Sequence, residues 1–188
     1  MTDPLQDTLD ELADALAASY ETDPRTERLD REFLPDRQRI VAVLEQVRHL
    51  LFPGFFAHRH LSRQNVRAYL GEQVRQVGEA LAGQIDYCRR MAGRSEPPAR
   101  SAAARRDARR RAAAFLARLP AVREMLAQDA QAAFDGDPAA QSIDEVIYCY
   151  PGFYAVTVYR VAHELHELGV ELMARIMTEH AHAVTGTD

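Results

Sequence analysis

The chain has 188 residues, 47% of them apolar and 27% charged, with a formal net charge of −5. That length can bury one good core, the composition is that of a globular protein, and the acidic balance argues against general nucleic-acid binding. No apolar run approaches the roughly 18 residues that span a bilayer, and the acidic, amphipathic start MTDPLQDTLDELADAL is neither a secretory nor a transit peptide, so a soluble, cytoplasmic protein is expected.

Apolar residues recur at spacings of three and four throughout, and no run alternates as a strand would. The spacing predicts a first helix from about Asp3 to Tyr20, with Thr2 as its cap, Pro4 in its first turn and Leu5, Leu9, Leu12 and Leu16 in one stripe. After the charged connection ETDPRTERLDREF, a second helix starts near Pro35. Its apolar face is Ile40, Val41, Leu44, Val47, Leu50 and Leu51. It ends at Phe52-Pro53-Gly54, because a residue before proline is pushed out of the α region. The aromatic corner FPGFF is expected to bury against a bundle.

A third helix, about Ser62 to Met91, carries Val66, Leu70, Val74, Val77, Leu81, Ile85 and Cys88 at near-heptad spacing, which suits helix packing. The stretch AGRSEPPA from Ala92 to Ala99 breaks the pattern with a glycine and two prolines. Ser101 caps a fourth helix reaching Leu119, and Pro120 starts a fifth that runs to Phe134. Gly136 closes it, and Asp137-Pro138 opens a loop. Ser142 and Glu145 form a capping box in which each side chain serves the other's backbone amide. A short sixth helix halts before Pro151-Gly152. The seventh runs from Phe153 to Leu168 and stops at Gly169; the eighth runs from Glu171 to Val184 and stops at Gly186. The expectation is an all-α bundle of about eight helices.

Four groups of residues carry possible chemistry. Nine arginines lie between Arg94 and Arg123 against Glu96 and Asp107, with Arg105, Arg106, Arg109, Arg110 and Arg111 crowded together. No aromatic residues interleave them, as single-strand binders require, so they read as a solvated helix face. His163 and His166 stand three apart with Glu164 and Glu167 beside them. The zinc-protease pattern needs histidines four apart on one face, and His180 and His182, two apart, pair worse; no metal site is predicted. Cys88 and Cys149 form no CxxC pair and read as two reduced thiols. Asp137 alone reads as a turn former before proline.

The segment from Leu119 onward, LPAVREMLAQDAQAAFDGDPAAQSIDEVIYCYPGFYAVTVYRVAHELHELGVELMARIMTEHAHAVTGTD, resembles the helical part of bacterial serine O-acetyltransferases. LPDRQRIVAVLEQVRHLLFPGFF resembles the extended N-terminal region of one bacterial subgroup of that family. The resemblance implies an enzyme of cysteine biosynthesis that moves the acetyl group of acetyl-CoA to the hydroxyl of L-serine. It implies that Asp137 binds the substrate serine through its ammonium group, and that cysteine would use the same residue. It places Asp188 where the family has the aspartate that orients a catalytic histidine. That histidine belongs to a left-handed β-helix of hexapeptide repeats, and no such repeat lies within these residues. The acetyl-CoA site, the trimer-forming prism and the tail that docks into cysteine synthase belong to the same missing part. No cofactor binding is expected of these residues themselves, with acetyl-CoA as co-substrate of the complete enzyme.

The expected organisation is one helical domain over residues 1–188, with extension helices over 1–91 and a segment over 100–188 leading to the β-helix. The expected assembly is the family's hexamer, a dimer of trimers, with no nucleic-acid or membrane partner. A stand-alone helical interaction module without catalysis is the alternative.

Overall fold

A computed structural model describes residues 4–23, 25–29, 34–56, 61–92 and 101–187. It holds seven α-helices, and no strand occurs among the described residues. They are α1 (Pro4–Thr22), α2 (Arg37–Leu51), α3 (Val66–Ala92), α4 (Ala102–Gly136), α5 (Ile143–Cys149), α6 (Pro151–Glu167) and α7 (Glu171–Thr185). The chain divides into two compact units, Met1–Phe33 and Leu34–Asp188. The first contains α1, whose stripe Leu5, Leu9, Leu12 and Leu16 is exposed. Thr2, expected to cap that helix, and the break at 93–100 lie outside the described residues.

The second unit is a bundle in which α3 packs along α4, α6 along α7, and α2 against α3, α4, α6 and α7. Its core follows most of the predicted stripes, although Val74 is exposed and Val41 is only partly buried. Ile40, Leu44, Val47 and Leu51 of α2, and Val77, Leu81, Ile85 and Cys88 of α3, are buried. At the α2 corner Phe52 is buried, and Phe55 and Phe56 pack against the core. Phe52 meets Phe153 edge to face at 5.7 Å between ring centres, a favoured aromatic geometry. Asp36 is the N-cap of α2, its Oδ1 accepting from the amides of Gln38 (2.8 Å) and Arg39 (3.1 Å). The third helix begins at Val66 rather than Ser62, because residues 62–65 form a turn in which Asn65 Oδ1 accepts from the Ser62 amide.

The helix count is one lower than expected because the chain does not break at Pro120. One 35-residue helix, α4, passes through it. A proline inside a helix removes one backbone hydrogen bond and costs about 3 kcal/mol. Here the stripe Ala108, Ala112, Phe115, Leu119, Val122, Leu126 and Ala130 is buried on both sides of the proline, and Pro120 itself is exposed. Burying several large side chains, at about 1.5–3 kcal/mol each, outweighs the lost bond.

The Pro151-Gly152 pair also behaves otherwise than predicted. The short helix α5 halts before it as expected, but α6 starts at Pro151 rather than Phe153, since proline takes the first-turn position where its missing N–H costs nothing. Tyr150 is therefore both the C-cap of α5 and the N-cap of α6.

Phe115 is fully buried at the middle of the α4 stripe. Phe115→Ala is expected to lower stability by about 3–5 kcal/mol. Urea denaturation of the chain measures this; a loss under about 1 kcal/mol would show that the α4 stripe is not the core's centre.

Candidate functional site

Asp137 sits at the point where the long α4 ends. It is the C-cap residue, with extended backbone angles (φ −115°, ψ 103°). Its carbonyl accepts from the Ala140 amide at 3.0 Å, closing a turn. Its side chain closes a second one, Oδ1 accepting from the Ala139 amide at 2.9 Å, the Asx-turn behaviour expected before a proline. The other oxygen, Oδ2, accepts from the Tyr150 hydroxyl at 2.6 Å. One carboxylate thus has a donor on each oxygen, one from its own loop and one from the α5–α6 junction.

The electrostatic result follows from those donors. The Tyr150 hydroxyl first, and the Ala139 amide second, hold the Asp137 carboxyl below the usual carboxylate range, because hydrogen bonds to the charged form favour it. Asp137 is therefore ionised at neutral pH. A depressed folded-state value stabilises the fold above the ordinary carboxylate range, and that stabilisation is lost as pH falls through it. The same bond works oppositely on its donor. The hydrogen bond to Asp137, then burial, then the charges of Asp137, Glu145 and Cys149 push the Tyr150 phenol up to about 12, so it stays a protonated donor.

The following loop is built to hold this geometry. Ser142 Oγ accepts from the Glu145 amide at 3.1 Å and so caps α5. Glu145 does not return the bond to Ser142, as a reciprocal box would. Its Oε2 accepts from the amide of Gln141, one residue earlier, at 2.8 Å. Tyr148 donates to the Phe55 carbonyl at 2.6 Å, tying α5 to the aromatic corner. In that corner the Arg48 guanidinium lies between two rings, 4.4 Å from the Phe56 centre and 4.5 Å from that of Tyr154, a cation–π arrangement. Tyr154 in turn donates to Glu45 at 3.0 Å.

The other candidate groups do not join Asp137. His163 and His166 are exposed on the groove between α6 and α7, and the His163 ring stacks on Tyr159. Among the described residues, no group of three or more histidines, cysteines and carboxylates is placed to hold a metal ion. Arg109, Arg110, Arg111, Arg118 and Arg123 of α4 have intramolecular partners, Arg123 donating to the Leu51 carbonyl at 3.1 Å. Arg109 pairs with Glu79 of α3, and Arg110 and Arg111 with Asp107. Arg89 also reaches Asp107 and donates to the Gly169 carbonyl at 3.3 Å, while Arg111 donates to the Leu168 carbonyl. Further along, Arg118 pairs with Glu164 at 2.7 Å and Arg160 with Asp129. Asp188 lies outside the described residues. Among these residues no helix is long and apolar enough to cross a membrane.

Sequence reasoning singled out Asp137 and missed Tyr150. The signal was the Tyr-Pro-Gly triplet itself, which puts a tyrosine at a junction of two helices close to the loop that carries Asp137.

Comparison with known proteins finds relatives in sequence and in structure. No protein-family model matches the chain. A plasmid serine acetyltransferase of Synechococcus elongatus is 36% identical over 185 residues, covering 96% of this chain and 58% of its own length. The chain superposes on serine acetyltransferase 1 of Entamoeba histolytica in complex with L-cysteine with a TM-score of 0.61 and 29% identity, covering 77% of this chain and 47% of that one. Isoform 3 of the same organism, in complex with cysteine, gives a TM-score of 0.61 at 27% identity over 97% of this chain and 59% of its own. The chain spans about half to three-fifths of the length of these relatives.

The two thiols differ in a way that can be read chemically. Cys149 is exposed, whereas Cys88 is buried and burial pushes its thiol up to about 11. An aromatic disulfide reagent at neutral pH is expected to titrate one thiol per chain rapidly, and Cys149→Ser is expected to abolish that reaction. Rapid modification of Cys88 would mean that the α3–α7 packing opens readily.

Proposed function

We propose, on the premise that the chain is homologous to the serine acetyltransferases and corresponds to their helical region, that it is the helical, substrate-contacting part of an enzyme converting acetyl-CoA and L-serine to O-acetyl-L-serine and CoA. The observation that carries this reading is the 36% identity extending over 96% of the chain. The superposition on two acetyltransferase structures supports it.

A serine hydroxyl is a weak nucleophile at neutral pH and requires a general base. In the proposed reaction a histidine of the catalytic domain takes the hydroxyl proton. The serine oxygen attacks the thioester carbonyl, the carbon–sulfur bond breaks, and the proton passes to the departing thiolate. Asp188 orients and charge-balances that histidine, following the logic of the hydrolytic triad with the nucleophile supplied by the substrate. Asp137 contributes earlier. Its ionised carboxylate binds the serine ammonium and fixes the hydroxyl's position, which is how positioning lowers a barrier. Free cysteine carries the same ammonium and carboxylate as serine, so Asp137 binds either, and cysteine competes as an end-product inhibitor. Homo-oligomer formation and docking to cysteine synthase complete the proposed role in cysteine biosynthesis.

The 188-residue chain alone is expected to show no turnover with L-serine and acetyl-CoA, whereas the enzyme that includes the catalytic domain is expected to form O-acetylserine. In that enzyme Asp137→Asn should raise KM for L-serine roughly 10- to 100-fold, the cost of one charge-assisted contact, and leave KM for acetyl-CoA unchanged. Product formation by the 188-residue chain, or an unchanged serine KM in the Asn variant, would overturn these assignments.

A further inference from the structure

We infer that Tyr150 is a positioning residue for the Asp137 carboxylate, holding it in a fixed plane and with free acceptor sites for an ammonium ligand. The inference rests on the proposed role of Asp137 in binding L-serine. Its own basis is geometric. Asp137 Oδ2 is held by the Tyr150 hydroxyl at 2.6 Å and Oδ1 by the Ala139 amide at 2.9 Å. A carboxylate rotates about its last bond with little resistance, since such terminal torsions are broad. One donor on each oxygen removes that freedom. An ionised carboxylate has about four acceptor positions, so two remain for the three N–H donors of an ammonium group.

Tyr150 is suited to this task by where its own parts are held. Its backbone closes α5, the amide donating to the Val146 carbonyl at 3.3 Å, and opens α6, the carbonyl accepting from the Tyr154 amide at 3.1 Å. Its ring packs against the buried core. The hydroxyl is thus delivered by a part anchored independently of the loop that carries Asp137. Without it, the carboxylate would be held by its own turn alone. The acidic neighbours of the phenol include Asp137 and Glu145. Both are carboxylates that keep it protonated and donating. A phenylalanine would keep the ring packing and lose the donor.

The test compares Tyr150→Phe with Asp137→Asn in two measurements. Carbon-detected NMR of the 188-residue chain follows the Asp137 carboxyl through acid titration. Tyr150→Phe is expected to move its midpoint upward, in a sample whose spectrum reports that the fold is kept. An unmoved midpoint overturns the inference. Steady-state kinetics of the complete acetyltransferase give the second readout. Tyr150→Phe is expected to raise KM for L-serine about 3- to 10-fold while kcat and the KM for acetyl-CoA hold. If the serine KM is unmoved by Tyr150→Phe but raised by Asp137→Asn, Tyr150 is merely structural and the inference fails alone. If neither variant moves it, the assignment of Asp137 fails and the inference falls with it.

Discussion

The bundle depends on the unbroken burial of one stripe along α4. Ala108, Ala112, Phe115, Leu119, Val122, Leu126 and Ala130 form the buried line of a helix against which α2, α3, α5 and α6 all pack. Alanines at its ends let neighbouring helices approach, and the large side chains fill its middle. Because this line continues through Pro120, α4 delivers Asp137 at one end while its other end is fastened to α3. Tertiary packing here overrides a local signal that would have divided the helix. A broken α4 would leave the Asp137 turn without a fixed origin.

Charge plays a supporting part. Of the arginines on α4, Arg109 pairs with Glu79, Arg110 and Arg111 pair with Asp107, and Arg111 also reaches the Leu168 carbonyl. Exposed pairs of this kind are worth little individually. The Asp107 group differs because one half-buried carboxylate receives Arg89, Arg110 and Arg111 from two helices. It holds those guanidiniums in a geometry from which two of them also reach the end of α6. The carboxyl of Asp107 is correspondingly held below its ordinary range, first by the Arg111 hydrogen bond.

Much of this was legible in the residues. Period-three-and-four stripes located the helices, and Gly169 and Gly186, both at positive φ, ended two of them as expected because glycine alone takes that conformation without cost. The resemblance in the segment from Leu119 onward pointed to Asp137. What could not be read was anything decided by competition between local and distant forces. Pro120 looks like a start and lies within a helix, because burial on both sides exceeds the cost of one missing bond. Pro151-Gly152 looks only like a stop and is also a beginning, because the preceding residue caps both neighbours. Tyr150 was invisible for the same reason. Its partner lies across a turn and a short helix, and nothing in a tyrosine's identity tells which acceptor its hydroxyl will find.

The use of arginine at the end of α6 has a consequence of its own. The chain contains no lysine, so the carbonyls of Leu168 and Gly169 are capped by guanidinium groups alone. Each guanidinium presents several N–H donors in one rigid plane, so Arg89 and Arg111 each hold Asp107 and a backbone carbonyl together. The fastening between α4, α3 and the α6–α7 turn therefore rests on two side chains that each bridge a carboxylate and a carbonyl. It also offers no amine to an acetylating thioester, so these helix-end contacts keep their charge in the presence of an acyl donor.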